Sequence, residues 1–333
     1  MKITKDIRLI DVEEFQPFVD YLMYKVGPVE TPAKLLSFQE LHNEQPTWSV
    51  EGMVNGAARL RDVARQRQVC YDVYAPEECD DDPEKADVKL FYLPAEQQPS
   101  DKPFILAIAG GGYACVCSIV EALPAAAQFN ALGYNVFVLN YRVNQPPMPN
   151  VPQPPLLPKP IDDVAAALNY ILAHKDSFSL RNLDYIVNGY SAGGSITDIW
   201  GTERQGYAKY GLPKPKALFP IYSFISFDTL ATSSIRDELQ SFMFGSDADP
   251  HIVDAFDVAA NITDGFPPCY AVHARDDDSV PVRNTLWLKE LLDSRGIPVH
   301  AEIAEHGGHG WGDGSGSDAD GWPVRAIQFV ESL

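Results

Sequence analysis

The chain has 333 residues, 45% hydrophobic and 22% charged, a balance that suits a soluble globular protein with a sizeable core. Its 46 acidic residues against 26 basic ones give a formal charge of −20, and the field of such a surface repels nucleic acid and anionic membranes. No run of 18 apolar residues occurs and no apolar leader with a small-residue cleavage site opens the chain, so the expectation is a cytoplasmic protein without a membrane span. Five cysteines (Cys70, Cys79, Cys115, Cys117 and Cys269) are an odd number without a C-x-x-C pair, and they read as reduced thiols rather than a disulfide frame or a zinc site.

In chain order, apolar residues from Asp11 to Val26 recur at helical spacing, with Asp11 and Glu14 as a start signal and Pro17 expected to bend the helix. Thr31-Pro32 is a second start, and Ser49 opens a third helix running to about Gln66. Residues 1–66 therefore read as an N-terminal helical extension: a lid, a dimer contact in a homo-oligomer, or packing. The arginines of the third helix, Arg59, Arg61, Arg65 and Arg67, read as a solvated face.

From residue 67 the period changes. Runs rich in Val, Ile, Tyr and Phe predict strands near 69–74, 88–93, 104–109, 135–140, 184–188, 216–221, 269–274 and 298–304. The first two are joined by a proline-bounded stretch too polar for a crossover helix and should pair antiparallel. The later ones alternate with helical segments at 119–132, 161–174, 191–204, 282–294 and 322–333, which predicts a mostly parallel eight-stranded sheet with helices on both faces. Eight prolines between Asn144 and Pro160 stiffen a loop that either walls a ligand site or serves as an inert linker, and residues 223–264 form an aromatic-rich insertion that suits a small cap.

Chemistry concentrates after four strands. Gly189-Tyr190-Ser191-Ala192-Gly193 is a G-x-S-x-G turn between strand and helix, in which two residues without a Cβ let the backbone bend sharply and force Ser191 outward. A serine nucleophile needs a base, a group that orients the base, and donors for the oxyanion. Ala109-Gly110-Gly111-Gly112-Tyr113 follows the third strand, and Gly111 and Gly112 with Ala192 are the candidate oxyanion donors. Asp276, Asp277 and Asp278 follow the seventh strand; spacing leaves all three open as the orienting acid. His306 and His309 follow the eighth, and His306-x-x-His309 lacks the glutamate of a zinc-protease helix, so no metal is expected there. His273 reads as a hydrogen-bonded core histidine. Tyr113, Tyr190 and Trp311 adjoin these residues and are candidates for stacking on substrate. Cys115 and Cys117 read as packing, and Asp313, Asp318 and Asp320 as a polar loop without the calcium-loop pattern.

Together AGGGY, the stretch from Ala131 to Val143, GYSAGG, DDDSVP and GGHGWG resemble the α/β-hydrolase superfamily from about residue 69 to the end, and within it the small-ester branch of acetyl xylan and feruloyl esterase-like enzymes. The resemblance implies an α/β-hydrolase domain over residues 67–333, with Ser191 as nucleophile, Asp277 as acid because His273 and Val280 bracket it at the branch's spacing, and His309 as base. It implies a small-molecule ester substrate, no cofactor, and hydrolysis of short-chain esters such as acetylated sugars. Ala109 departs from the histidine many relatives carry before the glycines, so the bracing of the oxyanion loop should differ. An amidase or exopeptidase with the same three residues, and a non-catalytic ligand-binding relative, are the competing expectations.

Overall fold

The structure is a computed structural model that describes residues 2–26, 31–144 and 152–333. Eight strands form one sheet in the order β1-β2-β4-β3-β5-β6-β7-β8, with β1 Cys70–Asp72, β2 Lys89–Leu93, β3 Phe104–Ile108, β4 Val136–Asn140, β5 Tyr185–Tyr190, β6 Ala217–Ile221, β7 Cys269–Ala274 and β8 Val299–Ala304. β1 pairs antiparallel with β2 and β2 antiparallel with β4; every other neighbour is parallel. Each of the eight expected strands is present, with its ends within two residues of those expected.

Every residue of β3 to β7 is buried, so both faces of the central sheet are covered, as the unbroken apolar runs require. The cover comes from α3 Ala122–Ala131, α4 Lys159–Ala173, α5 Ala192–Gly201, α9 Arg283–Asp293 and α10 Trp322–Glu331. The insertion after β6 carries α6 Ser233–Phe244, α7 Pro250–Phe256 and α8 Val258–Asn261. β8, at the sheet's edge, is mostly half-exposed.

The N-terminal region departs from the sequence reading at its start. Residues 9–11, 13–15 and 19–21 are three separate tight turns rather than one bent helix. The helical period over this stretch reflects the burial of Val12, Phe15, Phe18, Val19 and Leu22 beneath those turns, while Pro17 offers no N–H to continue a helix. Thr31-Pro32 opens only a tight turn at Ala33–Leu35. The helix that follows, α1 Phe38–Glu44, starts at Ser37, whose hydroxyl accepts from Glu40 N–H while the Glu40 carboxylate accepts from Ser37 N–H. α2 Val50–Ala64 starts at Ser49 as expected. Its Gly56 leaves no room for a Cβ, which would come within 2.8 Å of the Leu123 backbone, so α2 lies directly on α3.

The arginines of α2 are not a free solvated face. Arg59 donates to Asn130 Oδ1 at 2.9 Å and to the Pro94 carbonyl, Arg65 pairs with Glu14, and Arg67 lies over the Tyr92 ring at 4.6 Å. Their heads are held by partners from other parts of the chain, which the spacing of the arginines alone does not reveal.

Of the proline-rich connection after β4, Pro146, Pro147 and Pro149 lie outside the described residues. Its described part is pinned to the end of α6. Leu156 and Leu157 both donate to the Met243 carbonyl at 3.0 Å, and the Asn144 amide donates to the Phe242 carbonyl at 2.9 Å. At the base of this connection Arg142 and Asp163 form a buried pair, with Nη2 2.7 Å and the Arg142 N–H 2.8 Å from the carboxylate, which Tyr74 also bonds at 2.7 Å. Removing one partner strands the other charge in low dielectric. Asp163→Ala should therefore cost about 3–5 kcal/mol in a denaturant titration, whereas Asp11→Ala, which breaks the solvent-exposed pair with Arg8, should leave the midpoint nearly unchanged.

Candidate active site

The site begins with the bend after β5. Ser191 sits at φ 52°, a left-handed conformation rare for a residue with a side chain. The packing around it permits nothing else: a Cβ on Gly189 would lie 2.1 Å from the Gly193 carbonyl, and one on Gly193 would lie 2.1 Å from the Ile108 carbonyl. Strand, helix and the neighbouring β3 are thus in backbone contact. Ser191 N–H donates to the Ile221 carbonyl at 3.0 Å, which holds the bend to β6.

His309 arrives from the loop after β8. Its Nε2 lies 2.8 Å from Ser191 Oγ and its Nδ1 lies 2.7 Å from Asp277 Oδ2. A carboxylate only accepts, so Nδ1 carries the proton and Nε2 is left to accept from the Ser191 hydroxyl. Of the three aspartates, Asp277 is the one aimed at this imidazole. Asp276 points outward and accepts from Gly308 N–H at 2.8 Å, while the exposed Asp278 accepts from the Ser279 hydroxyl.

Asp277 is buried, and burial alone would raise its pKa. Hydrogen bonds from His273 and His309, the positive charge His309 can carry, and the Val280 N–H outweigh that and hold it at about 2. Its Oδ1 accepts from Ser279 N–H at 2.9 Å and Val280 N–H at 2.8 Å. His273 is fully buried, with Nε2 2.9 Å from the Val280 carbonyl and 3.2 Å from Asp277 Oδ2 and with Nδ1 2.8 Å from the Thr285 hydroxyl. Its proton on Nε2 serves both the loop and the carboxylate.

Gly111, Gly112 and Ala192 line the same cavity as Ser191 and His309. Gly111 and Gly112 adopt φ +138° and +60°, and Ala192 opens α5, where the first N–H groups have no acceptor within the helix. The loop's support is the feature sequence reasoning missed. Glu121, fully buried in the cavity wall, accepts from Gly110 N–H through Oε2 and from the Tyr222 hydroxyl at 2.8 Å through Oε1. Burial pushes its carboxyl above the usual range, against the pull of those two donors and of His309. Glu121 is the single charged residue between Lys102 and Arg142, and that isolation was the signal available.

The three aromatic candidates separate. Tyr113, at φ 62°, lines the cavity. Tyr190 and Trp311 do not, which corrects the sequence reading. Tyr190 is the last residue of β5 and lies wholly in the core against Tyr222 and Trp322. Trp311 stands edge-on to Tyr222, with centroids 4.7 Å apart, and borders a separate depression with His42, His306 and Asp318. Cys117 borders the cavity, and Cys115 lies beneath the glycine loop with its thiol 3.3 Å from the Gly111 carbonyl.

The cavity has a volume of about 410 Å³ and is mainly apolar, with Trp48, Phe224, Leu230, Leu239, Val280 and Pro281 in its wall. Trp48 comes from the N-terminal region, to which the sequence alone assigned no chemistry. The same region reaches His309 itself, because the Thr47 hydroxyl donates to the His309 carbonyl. None of the described residues of the proline-rich connection borders this cavity. Among the described residues no cluster of three or more His, Cys, Asp or Glu side chains is placed to hold a metal ion.

The BD-FAE family model matches residues 90–292, more than half of the chain. The chain belongs to the BD-FAE family. The matched segment holds Ser191 and Asp277 and ends before His309. Among relatives of this BD-FAE protein, the endo-1,4-beta-xylanase B of Butyrivibrio fibrisolvens is 25% identical over 235 residues, 69% of this chain and 35% of that one. The acetylxylan esterase of Xylanibacter ruminicola is 26% identical over 231 residues, 67% of this chain and 43% of its own. The chain thus spans less than half the length of these curated relatives. An acetyl ester-xyloside bifunctional hydrolase from Caldicellulosiruptor lactoaceticus superposes with a TM-score of 0.61 at 25% identity, covering 74% of this chain and 88% of that one. A carboxylesterase from Lactobacillus plantarum gives 0.60 at 19% identity over 74% and 92%. The fold is that of the α/β-hydrolases. No helix of the described residues is long and apolar enough to cross a membrane.

The depressed acid has a consequence for stability. A carboxylate held below its unfolded value of about 3.9 stabilises fully above that pH and loses the contribution as pH falls toward about 2. The difference in melting temperature between wild type and Asp277→Asn should therefore be full near about pH 5 and shrink toward about pH 2.5. A gap that stays constant across that range contradicts the assigned charge.

Proposed function

We propose that the protein is a serine-dependent carboxylic ester hydrolase. The observation that carries this reading is the unbroken hydrogen-bonded series from Ser191 Oγ through His309 to the buried Asp277 carboxylate, opening on a cavity that also holds Gly111, Gly112 and Ala192. His309 Nε2 takes the proton of Ser191 as the oxygen adds to the ester carbonyl. Asp277 keeps the imidazole in the tautomer that can do so and balances the imidazolium that forms. The N–H groups of Gly111, Gly112 and Ala192 bind the oxyanion. His309 returns its proton to the departing alcohol, and water then frees the acid by the same steps in reverse order. The esterase and xylan-degrading relatives support an ester of this kind.

The acyl group is proposed to be short, with acetyl groups on sugars as the leading substrate. The cavity is larger than an acetyl group needs, so part of the alcohol lies in it as well, against Trp48 and Tyr113. Residues 1–66 close one side of the site through Gln45 and Trp48, and the 223–264 insertion caps the other through Phe224, Leu230 and Leu239. The acidic surface is compatible with a neutral substrate.

A fluorophosphonate should add once, on Ser191, by intact mass. Hydrolysis of p-nitrophenyl esters should fall beyond the butyrate, and Ser191→Ala should lower turnover by about 10⁴-fold or more with the fold intact. Substantial turnover in Ser191→Ala overturns the reading. Faster cleavage of aminoacyl p-nitroanilides than of esters moves it to an amidase, and folded protein that takes no label moves it to a ligand-binding protein.

A further inference from the structure

Resting on that hydrolase reading, we infer that Glu121 is a positioning residue for the oxyanion loop: its buried carboxylate ties Gly110 to Tyr222, and through them fixes the Gly111 and Gly112 N–H groups against Ser191. Both carboxylate oxygens are occupied, one by Gly110 N–H and the other by the Tyr222 hydroxyl. The Tyr222 oxygen in turn accepts from Gly312 N–H at 3.1 Å, three residues beyond His309, and its ring lies 4.7 Å from the imidazole. Glu121 and Tyr222 together thus join the loop after β3, the end of β6 and the loop after β8.

Gly110 is where such a tie acts on the reaction. A Cβ there would lie 2.7 Å from Ser191 Cβ, 2.7 Å from the Tyr190 carbonyl and 3.0 Å from Glu121 Oε2, so this residue is wedged between the carboxylate and the serine. The next three residues all take positive φ, and the loop's own backbone bonds run to its carbonyls: Cys117 N–H to Gly110, Ala114 and Cys115 N–H to Gly111, and Asn144 N–H to Tyr113. A displacement at Gly110 passes directly into the two N–H groups that follow. Without its acceptor, Gly110 N–H would be a buried donor with no partner, and the loop would move to relieve it.

The test uses the full chain and three variants, Glu121→Ala, Glu121→Gln and Tyr222→Phe, assayed for kcat and KM on p-nitrophenyl acetate, for the rate of fluorophosphonate labelling and for melting temperature. Misplacing an oxyanion donor costs rate rather than ground-state binding, so Glu121→Ala should lose about 100-fold in kcat with KM nearly unchanged. Labelling should slow in parallel. Glutamine still offers an oxygen to Gly110 N–H and should lose only about 10-fold; Tyr222→Phe, which leaves the Gly110 bond in place but frees its other end, should likewise lose about 10-fold, less than Glu121→Ala. If Glu121→Ala does not fold, Glu121→Gln and Tyr222→Phe carry the test. An active wild type whose folded variants keep kcat within threefold, or change KM alone, overturns the role of Glu121 and leaves the hydrolase reading standing. A wild type that neither turns over nor labels at Ser191 overturns both.

Discussion

Backbone contact at the bend after β5 is the constraint on which the site depends. At Gly189 and Gly193 the strand, the helix and β3 approach so closely that an added carbon atom would meet carbonyl groups at about 2.1 Å. That closeness holds Ser191 at positive φ and presents its hydroxyl at the C-terminal edge of the parallel strands. In open α/β sheets this edge is where ligands bind, since the loops that leave the strand ends converge there. β3, β5, β7 and β8 each deliver one part: the glycine loop, the serine, the aspartate and the histidine.

The loops are then held by charge and hydrogen bonding more than by apolar packing. Asp277 is buried yet ionised because two histidines and two backbone N–H groups face it. The His309 loop is tied on several sides, by Asp276 to Gly308, by Asp318 to His306 N–H, by Thr47 to the His309 carbonyl and by Tyr222 to Gly312. A loop rich in glycine is inexpensive to bend and costly to order. These ties supply the order. One of them, from Thr47, comes from outside the loops of the central sheet, which gives the N-terminal region a structural part in the site.

The strands were legible because their apolar runs are rich in β-branched and aromatic residues and stop at turn residues. The serine of the candidate site was legible because a strained serine turn leaves a short pattern of glycines. Where side chains of one type compete within three positions, as with Asp276, Asp277 and Asp278, spacing alone does not decide; direction in space does, and the family resemblance pointed to the same residue. The stretch from Asp11 to Val26 misled because turns packed on a core bury residues at nearly the period of a helix. Tyr190 misled because neighbours in sequence at a sharp bend point to different sides of the sheet, and Trp311 because, two residues past His309 in a glycine-rich loop, it turns to pack on Tyr222. Glu121 and Trp48 reach the site through tertiary contacts that no local spacing encodes, although a lone charge inside a long uncharged stretch marks a residue with a buried partner.

The most direct measurement is a crystal structure of the protein after reaction with a small alkyl fluorophosphonate, whose tetrahedral phosphorus stands in for the carbon of the attacked ester. The account predicts a bond from Ser191 Oγ to phosphorus, with the phosphoryl oxygen about 3 Å from the N–H groups of Ala192 and of Gly111 or Gly112, and His309 still bonded to Asp277. A phosphoryl oxygen turned away from those N–H groups, or an adduct on another residue, would contradict it.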